Sequence, residues 1–212
     1  MRDLTQSFLN TEEKNKIIEC VKKVEQVTSG EIVPMIVSAS HDYASADILG
    51  GMALSLFVSI LATVLMGSEN MWTFLALFCV LFIILYEIVK RVPFLKRLFI
   101  SSHEMEEEVE EEAFTSFFKK GLYKTKDHTG ILIFISVFER KVWVLADTGI
   151  NDKVESAVWN DIVITIIQGI KNGTQGEAIC KAIDKCATIL KDHFPVKADD
   201  KDELDNLIIG KD

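Results

Sequence analysis

Apolar and polar positions are distributed very unevenly along the 212 residues. From Ile48 to Met66 nineteen residues pass without a charge. After the polar link Gly67-Ser68-Glu69-Asn70, the run from Met71 to Ile88 is apolar apart from Glu87. At about 1.5 Å per residue, each run makes a helix that crosses most of a ~30 Å hydrocarbon layer. The pattern predicts a transmembrane hairpin over 48–90, with crossings at 48–66 and 71–89. Covering both helices inside a soluble core would take more apolar residues than the rest of the chain supplies.

Outside these runs the periodicity changes. Asn10-Thr11-Glu12-Glu13 reads as a capped helix start, and Ile17, Ile18, Val21 and Val24 form its buried stripe as far as about Thr28. Gly30 ends that helix, and Ile32–Val37 reads as a short strand whose Pro34 suggests an edge or a strand beginning. Beyond the apolar runs, Ser101-x-x-Glu104 caps a helix with Val109, Ala113, Phe114, Phe117, Phe118 and Leu122 on its apolar face. Ile131–Val137 and Val142–Ala146, joined by Phe138-Glu139-Arg140-Lys141, read as a β-hairpin. Two helices follow, one through Trp159, Ile162, Ile166 and Ile170, the other capped by Thr174-x-x-Glu177 and running to Leu190. A single strand cannot fold alone, so residues 1–47 and 91–195 are expected to complete one domain split by the hairpin. Residues 196–212 are expected to be an acidic C-terminal tail, extended as an arm.

Charge adds orientation and excludes one class of partner. Lys and Arg number 23 against 32 Asp and Glu, a net charge of −9 that offers no attraction for phosphate backbones, so nucleic acid is not an expected partner. Lys90, Arg91, Lys96 and Arg97 follow the second crossing and the link between crossings has no basic residue, which predicts both termini and the soluble domain in the cytoplasm. The first residues lack a basic n-region and an apolar h-region, so no secretory signal is expected there. Cys20, Cys79, Cys180 and Cys186 form no C-x-x-C pair and read as buried small hydrophobes. In the first crossing Gly51, Ser55, Ser59 and Thr63 recur every four residues, a stripe on which another helix can pack closely. The second crossing is the expected partner, with a second copy or another membrane protein as the alternative. Val92–Ile100 mixes apolar and basic residues and suits either an anionic-lipid interface or a stop-transfer flank.

Chemistry is sparse. A strand, a crossover helix and a parallel strand would bring Glu31 and Thr129 to one side of the sheet, and an antiparallel third strand would return Asp147 to it. Asp127, His128, Asn151 and Asp152 sit in the adjoining loops. Glu31, Asp127, Asp147 and Asp152 are therefore the oxygen ligands expected of a Ca²⁺ or Mg²⁺ site. Asn151 and Asp152 equally suit helix caps, and Asp147 the closing of a turn. His103-Glu104-Met105-Glu106-Glu107 lacks the second histidine of a zincin. With no nucleophile elbow and no Gly-rich phosphate loop, catalytic residues are not identifiable.

Three segments carry a resemblance: Ser29-Gly30-Glu31-Ile32-Val33-Pro34, Thr129-Gly130-Ile131-Leu132-Ile133-Phe134-Ile135-Ser136, and Glu139-Arg140-Lys141-Val142 leading to Ala146-Asp147-Thr148-Gly149-Ile150. The chain resembles the TPM-domain family, which includes thylakoid factors implicated in photosystem repair and an accessory protein of acetylcholine receptors. It is most similar to a bacterial membrane-protein branch in which two membrane helices interrupt the domain after its first strand. His193-Phe194-Pro195 and Glu203-Leu204 extend the similarity. The resemblance implies an α/β fold, a three-layer α/β/α sandwich with a small mixed sheet, interrupted here by the transmembrane hairpin. It also implies divalent-cation binding and, from a plant relative, phosphatase activity. Better-studied relatives carry a signal peptide and place the domain outside the cytoplasm, unlike the charge reading here. The function expected is a membrane-anchored interaction module in the bacterial inner membrane. Such a module assists assembly, maintenance or regulation of other membrane proteins and contacts the bilayer and a protein partner or a second copy. The alternative is a weak metal-dependent phosphatase using the Glu31/Asp147 edge.

Overall fold

The computed structural model describes residues 3–195 and 204–210. The chain divides into two compact units: one holds His41–Met105, the other Asp3–Ser40 with Glu106 onward. The segments before and after the apolar pair thus fold into one unit.

In that unit, helix α1 (Thr5–Phe8) precedes α2 (Thr11–Glu25). Asn10 closes a full capping box, its side chain accepting from Glu13 N at 2.8 Å while Asn10 N donates to the Glu13 carboxylate at 2.9 Å. Strand β1 (Glu31–Val37) pairs parallel with β2 (Gly130–Ser136), and β2 antiparallel with β3 (Lys141–Ala146). Helix α6 (Ser102–Lys119) lies between β1 and β2 in the chain. Short α7 (Thr148–Asn151), α8 (Ser156–Lys171) and α9 (Gln175–His193) follow β3. Alternation along the strands sends Ile32, Ile36, Ile131, Ile133 and Ile135 into a core with α2, α8 and α9. Val33, Met35, Val37, Leu132 and Phe134 enter a second core with Val109, Ala113 and Phe117 of α6. The result is a three-layer α/β/α sandwich on a mixed sheet.

Four expectations change. The tail does not remain an arm: Ile208–Ile209 form a strand β4 that pairs parallel with Met35 and Ile36, giving the order β3-β2-β1-β4. Glu203 and the rest of 196–203 lie outside the described residues. Strand β1 is consequently not an edge, and β4 joins it just past Pro34, whose missing N–H would interrupt a longer ladder. Phe114 and Phe118 point outward, 47% and 55% exposed, because they sit off the 109–113–117 stripe. The Thr174 side chain does not cap α9; its hydroxyl donates to Gly169 O.

The cysteines differ most. Cys20 of α2 and Cys180 of α9 are joined as a disulfide, their Cα atoms 5.8 Å apart. Cys79 is exposed on an apolar helix, and only Cys186 is the buried small hydrophobe expected of all four.

The other unit contains α3 (Ala44–Leu65) and α4 (Met71–Arg91), helices long and apolar enough to cross a membrane, about 33 and 32 Å at the usual rise. Phe74, Phe78, Phe82 and Tyr86 form a stacked column along α4. Short α5 (Pro93–Arg97) follows.

Candidate functional site

The sheet end where β1 and β2 start and β3 finishes is built by backbone hydrogen bonds. Glu31 N donates to Thr129 O at 3.2 Å, and Asp147 N to Gly130 O at 2.9 Å. The approach to β2 is a tight turn in which His128 N donates to Thr125 O and Thr129 N to Thr125 Oγ1. Thr129 Oγ1 donates in turn to Ser29 O at 3.0 Å, linking the two strand starts. His128 takes φ of +54°, a left-handed conformation that an L side chain adopts at a cost. Glycine is required on two sides. A Cβ on Gly130 would stand 2.5 Å from Leu122 O, and one on Gly149 would stand 2.6 Å from Asp127 O and 2.7 Å from His128 O.

Parallel-then-antiparallel pairing thus gathers Glu31, Asp127, His128 and Asp147 at one end, as the element order requires. The side chains do not converge as a ligand set: among the described residues, no group of three or more His, Cys, Asp or Glu is arranged to hold a metal ion. Asp147, nearly buried, is the N-cap of α7, its Oδ1 accepting from Thr148 N at 2.7 Å. Its Oδ2 lies 3.2 Å from Nδ1 of the exposed His128 ring, a distance at which Nδ1–H donates to the carboxylate. Asp152 is an exposed residue at the C-terminus of α7, beside an open hollow of about 660 Å³ lined by Asn151–Glu155. Asn151 Nδ2 donates to Ala146 O. Glu31 is buried at the start of β1. What the end offers chemically is a His128–Asp147 pair, with the imidazole oriented by a carboxylate that also caps a helix. Sequence reasoning placed both residues in the cluster without pairing them, because their contact depends on the left-handed turn at His128.

At the opposite end of the hairpin, Glu139 is fully buried. It accepts from Ser40 N at 2.9 Å and from the Ser136 hydroxyl. In the sequence Glu139 belongs to the hairpin turn and to one of the segments that carry the family resemblance, and a charged residue between Phe138 and Arg140 carries no signal of burial.

In the helical hairpin, Gly51, Ser55 and Ser59 are buried and Thr63 is partly exposed. A Cβ on Gly51 would meet the Tyr86 backbone of α4 at 3.0 Å. Ser55, Ser59 and Thr63 hydroxyls donate to carbonyls of their own helix, at Met52, Leu56 and Ser59.

The mixed sheet layered by helices and the helix-capping Asp147 at the end of its β-hairpin lie largely within one stretch of the chain. Residues 95–189 match the TPM domain. The match takes in α6, β2, β3, α7, α8 and most of α9, including the His128–Asp147 pair; β1 and Glu31 precede it. A solved structure, the NMR structure of the BA42 protein from the psychrophilic bacterium Bizionia argentinensis, is similar with a TM-score of 0.58 at 22% identity. The similarity covers 97% of each chain and speaks to the fold. No curated protein matches.

Proposed function

We propose that this chain is a membrane-anchored TPM-like accessory module that assists assembly, maintenance or regulation of other membrane proteins from the cytoplasmic face. The observation that carries this reading is the outer surface of the hairpin. Phe57, Val64, Trp72 and Ile83, among others, are exposed large hydrophobics on helices of spanning length, joined within one chain to a folded TPM-type unit. The Gly51 stripe is occupied by α4, so a protein partner in the bilayer would use those outer faces instead. The test is photocrosslinking from position 57 or 83 in native membranes, followed by identification of the adducts. Crosslinks to specific membrane proteins support the module; adducts to lipid alone, at every position, count against it.

Orientation rests on Lys90, Arg91, Lys96 and Arg97. Cytosolic thiols are kept reduced, so on that side the Cys20–Cys180 pair is a dithiol in growing cells and oxidises on isolation. Alkylation of acid-quenched cells should then modify all four cysteines. If two resist until reduction, the soluble unit faces an oxidising compartment.

A second reading has its own observation, the His128–Asp147 contact at an end that also gathers Glu31 and Asp127. A Ca²⁺- or Mg²⁺-dependent phosphoester hydrolase would use these groups to position a metal-activated water. It requires turnover that disappears in Asp147→Asn and Glu31→Gln and that depends on added metal.

A further inference from the structure

We propose that α5 is an interfacial foot, inserting Phe94 and Leu98 into the acyl–headgroup boundary of the leaflet that the hairpin's two ends share. The inference rests on the reading of α3 and α4 as membrane-spanning. Its starting point is an inversion of the usual amphipathic arrangement. Lys96 is buried, donating to the Asp42 carbonyl and to Asp47 Oδ2 at 3.0 Å in the first turn of α3. Phe99, three residues on, packs where a Cβ on Gly50 would reach it at 2.7 Å. These two contacts fasten one side of the segment to the base of α3.

The other side is apolar. Phe94 and Leu98, four residues apart, are 68% and 64% exposed, and Val92 is exposed beside them. Ile48, Leu49 and Met52 on α3 and Ile84 and Ile88 on α4, the two helices that α5 packs against, are exposed in the same unit. An apolar surface on a segment packed against helices of spanning length is covered by lipid, and a short segment at the helix ends lies at headgroup depth. Charge sets the kind of lipid contact. Lys96 is spent on Asp47, and Arg91 pairs with Glu87 at 2.8 Å. With Lys90 exposed over the Tyr86 ring and Arg97 half-buried, basic side chains stay at headgroup depth, and the foot holds the bilayer by apolar insertion of Phe94 and Leu98.

The test places nitroxide labels on the full chain in nanodiscs. Cys186 is buried and Cys20 is bonded to Cys180, so Cys79→Ser leaves an unlabelled background. Cysteines are then introduced singly at Phe94, at Leu98, at Phe57 within α3, and at exposed Glu111 of α6. Oxygen and nickel-chelate collision rates are read in zwitterionic and in 30% anionic lipid. Expected are oxygen-to-nickel ratios severalfold above the Glu111 value at 94 and 98, shallower than at 57 and unchanged by lipid charge. Nickel-accessible labels at 94 and 98 with a deep label at 57 would overturn the foot alone. Nickel access at 57 as well would mean that the spanning reading has failed. Immersion appearing only in anionic lipid would overturn apolar insertion. Asp47→Asn and Lys96→Met should each release 94 and 98 toward aqueous values while 57 stays deep; unchanged immersion in both would remove the buried pair from its positioning role.

Discussion

Replacing Glu139 by alanine tests whether the split domain is locked at the mouth of its insertion. The carboxylate has no solvent exposure and accepts from Ser40 N, 99 residues earlier in the chain, and from Ser136 Oγ. Beside it, Val137 N and Phe138 N donate to Val37 O and Ser38 O, so the β2–β3 turn and the end of β1 form one bonded cluster. Truncation leaves a buried amide and a buried hydroxyl without their acceptor, at about 1–3 kcal/mol each. The expected loss is about 2–6 kcal/mol, a large part of a domain stability of roughly 5–15 kcal/mol. Hydrogen exchange of the full chain in nanodiscs reads it directly. At a factor of ten per ~1.4 kcal/mol, amides of β1 should exchange roughly tens to tens of thousands of times faster. Glu139→Gln keeps one acceptor oxygen, and the Ser136 hydroxyl can turn to accept from the new amide, so about half of the loss should return. Exchange in Glu139→Ala within threefold of the parent would refute the lock, since two unsatisfied buried groups cannot cost so little.

Three other perturbations probe different parts. Gly149→Ala forces a methyl against the Asp127 and His128 carbonyls at 2.6 and 2.7 Å, in a turn that His128 N closes by donating to Thr125 O. A loss of about 1–3 kcal/mol is expected, with a lowered melting temperature and a shifted His128 ring resonance. Reducing the Cys20–Cys180 bridge opens a loop of 160 residues, for which the chain-entropy relation gives an upper value of about 5 kcal/mol. Melting with and without reductant measures it, and Cys20→Ser should abolish the difference. Burial pushes the Cys186 thiol from 9.0 to about 12. An acid whose folded pKa is raised contributes stability fully below its unfolded value and loses it as pH climbs, so this contribution should fade from about pH 9 toward 12. Cys186→Ala, compared with the parent across that range by denaturant melts, should flatten the decline.

What could be read from the residues followed from period and length. Nineteen uncharged positions, the Asn10 box and the apolar run from Ile131 each identify an element from a few neighbours, and parallel-then-antiparallel pairing put Glu31, His128 and Asp147 at one end. The failures share a cause: they depend on which way one side chain turns, or on partners far apart in sequence. Lys96 suits an anionic-lipid interface or a stop-transfer flank, and nothing local says that it folds back to Asp47. Cys20 and Cys180 carry no spacing signal across 160 residues. A two-residue strand at Ile208–Ile209 is too short to show alternation. Asp147 satisfies both a ligand pattern and a cap pattern, and the structure shows its Oδ1 in the cap, accepting from Thr148 N.

The place of the insertion has a physical reason. Between Val37 and Gly130 the chain makes a crossover joining two parallel strands, and such a connection must leave the sheet and return whatever it contains. Here it runs roughly three times the ~30 residues of a whole βαβ unit. Closure cost rises by only about 0.6 kcal/mol per doubling, so the extra length costs about 1 kcal/mol, less still because α3 and α4 are themselves ordered. A hairpin inserted in the four-residue turn between β2 and β3 would instead break the register that Phe134 and Trp143 share. The crossover is where this sheet tolerates a long helical insertion, provided that the two strand ends are held once they meet. Glu139 with Ser40 does this at one end of the sheet, and Thr129 with Ser29 at the other. Weakening both clusters together should therefore loosen β1 from β2 far more than either alone.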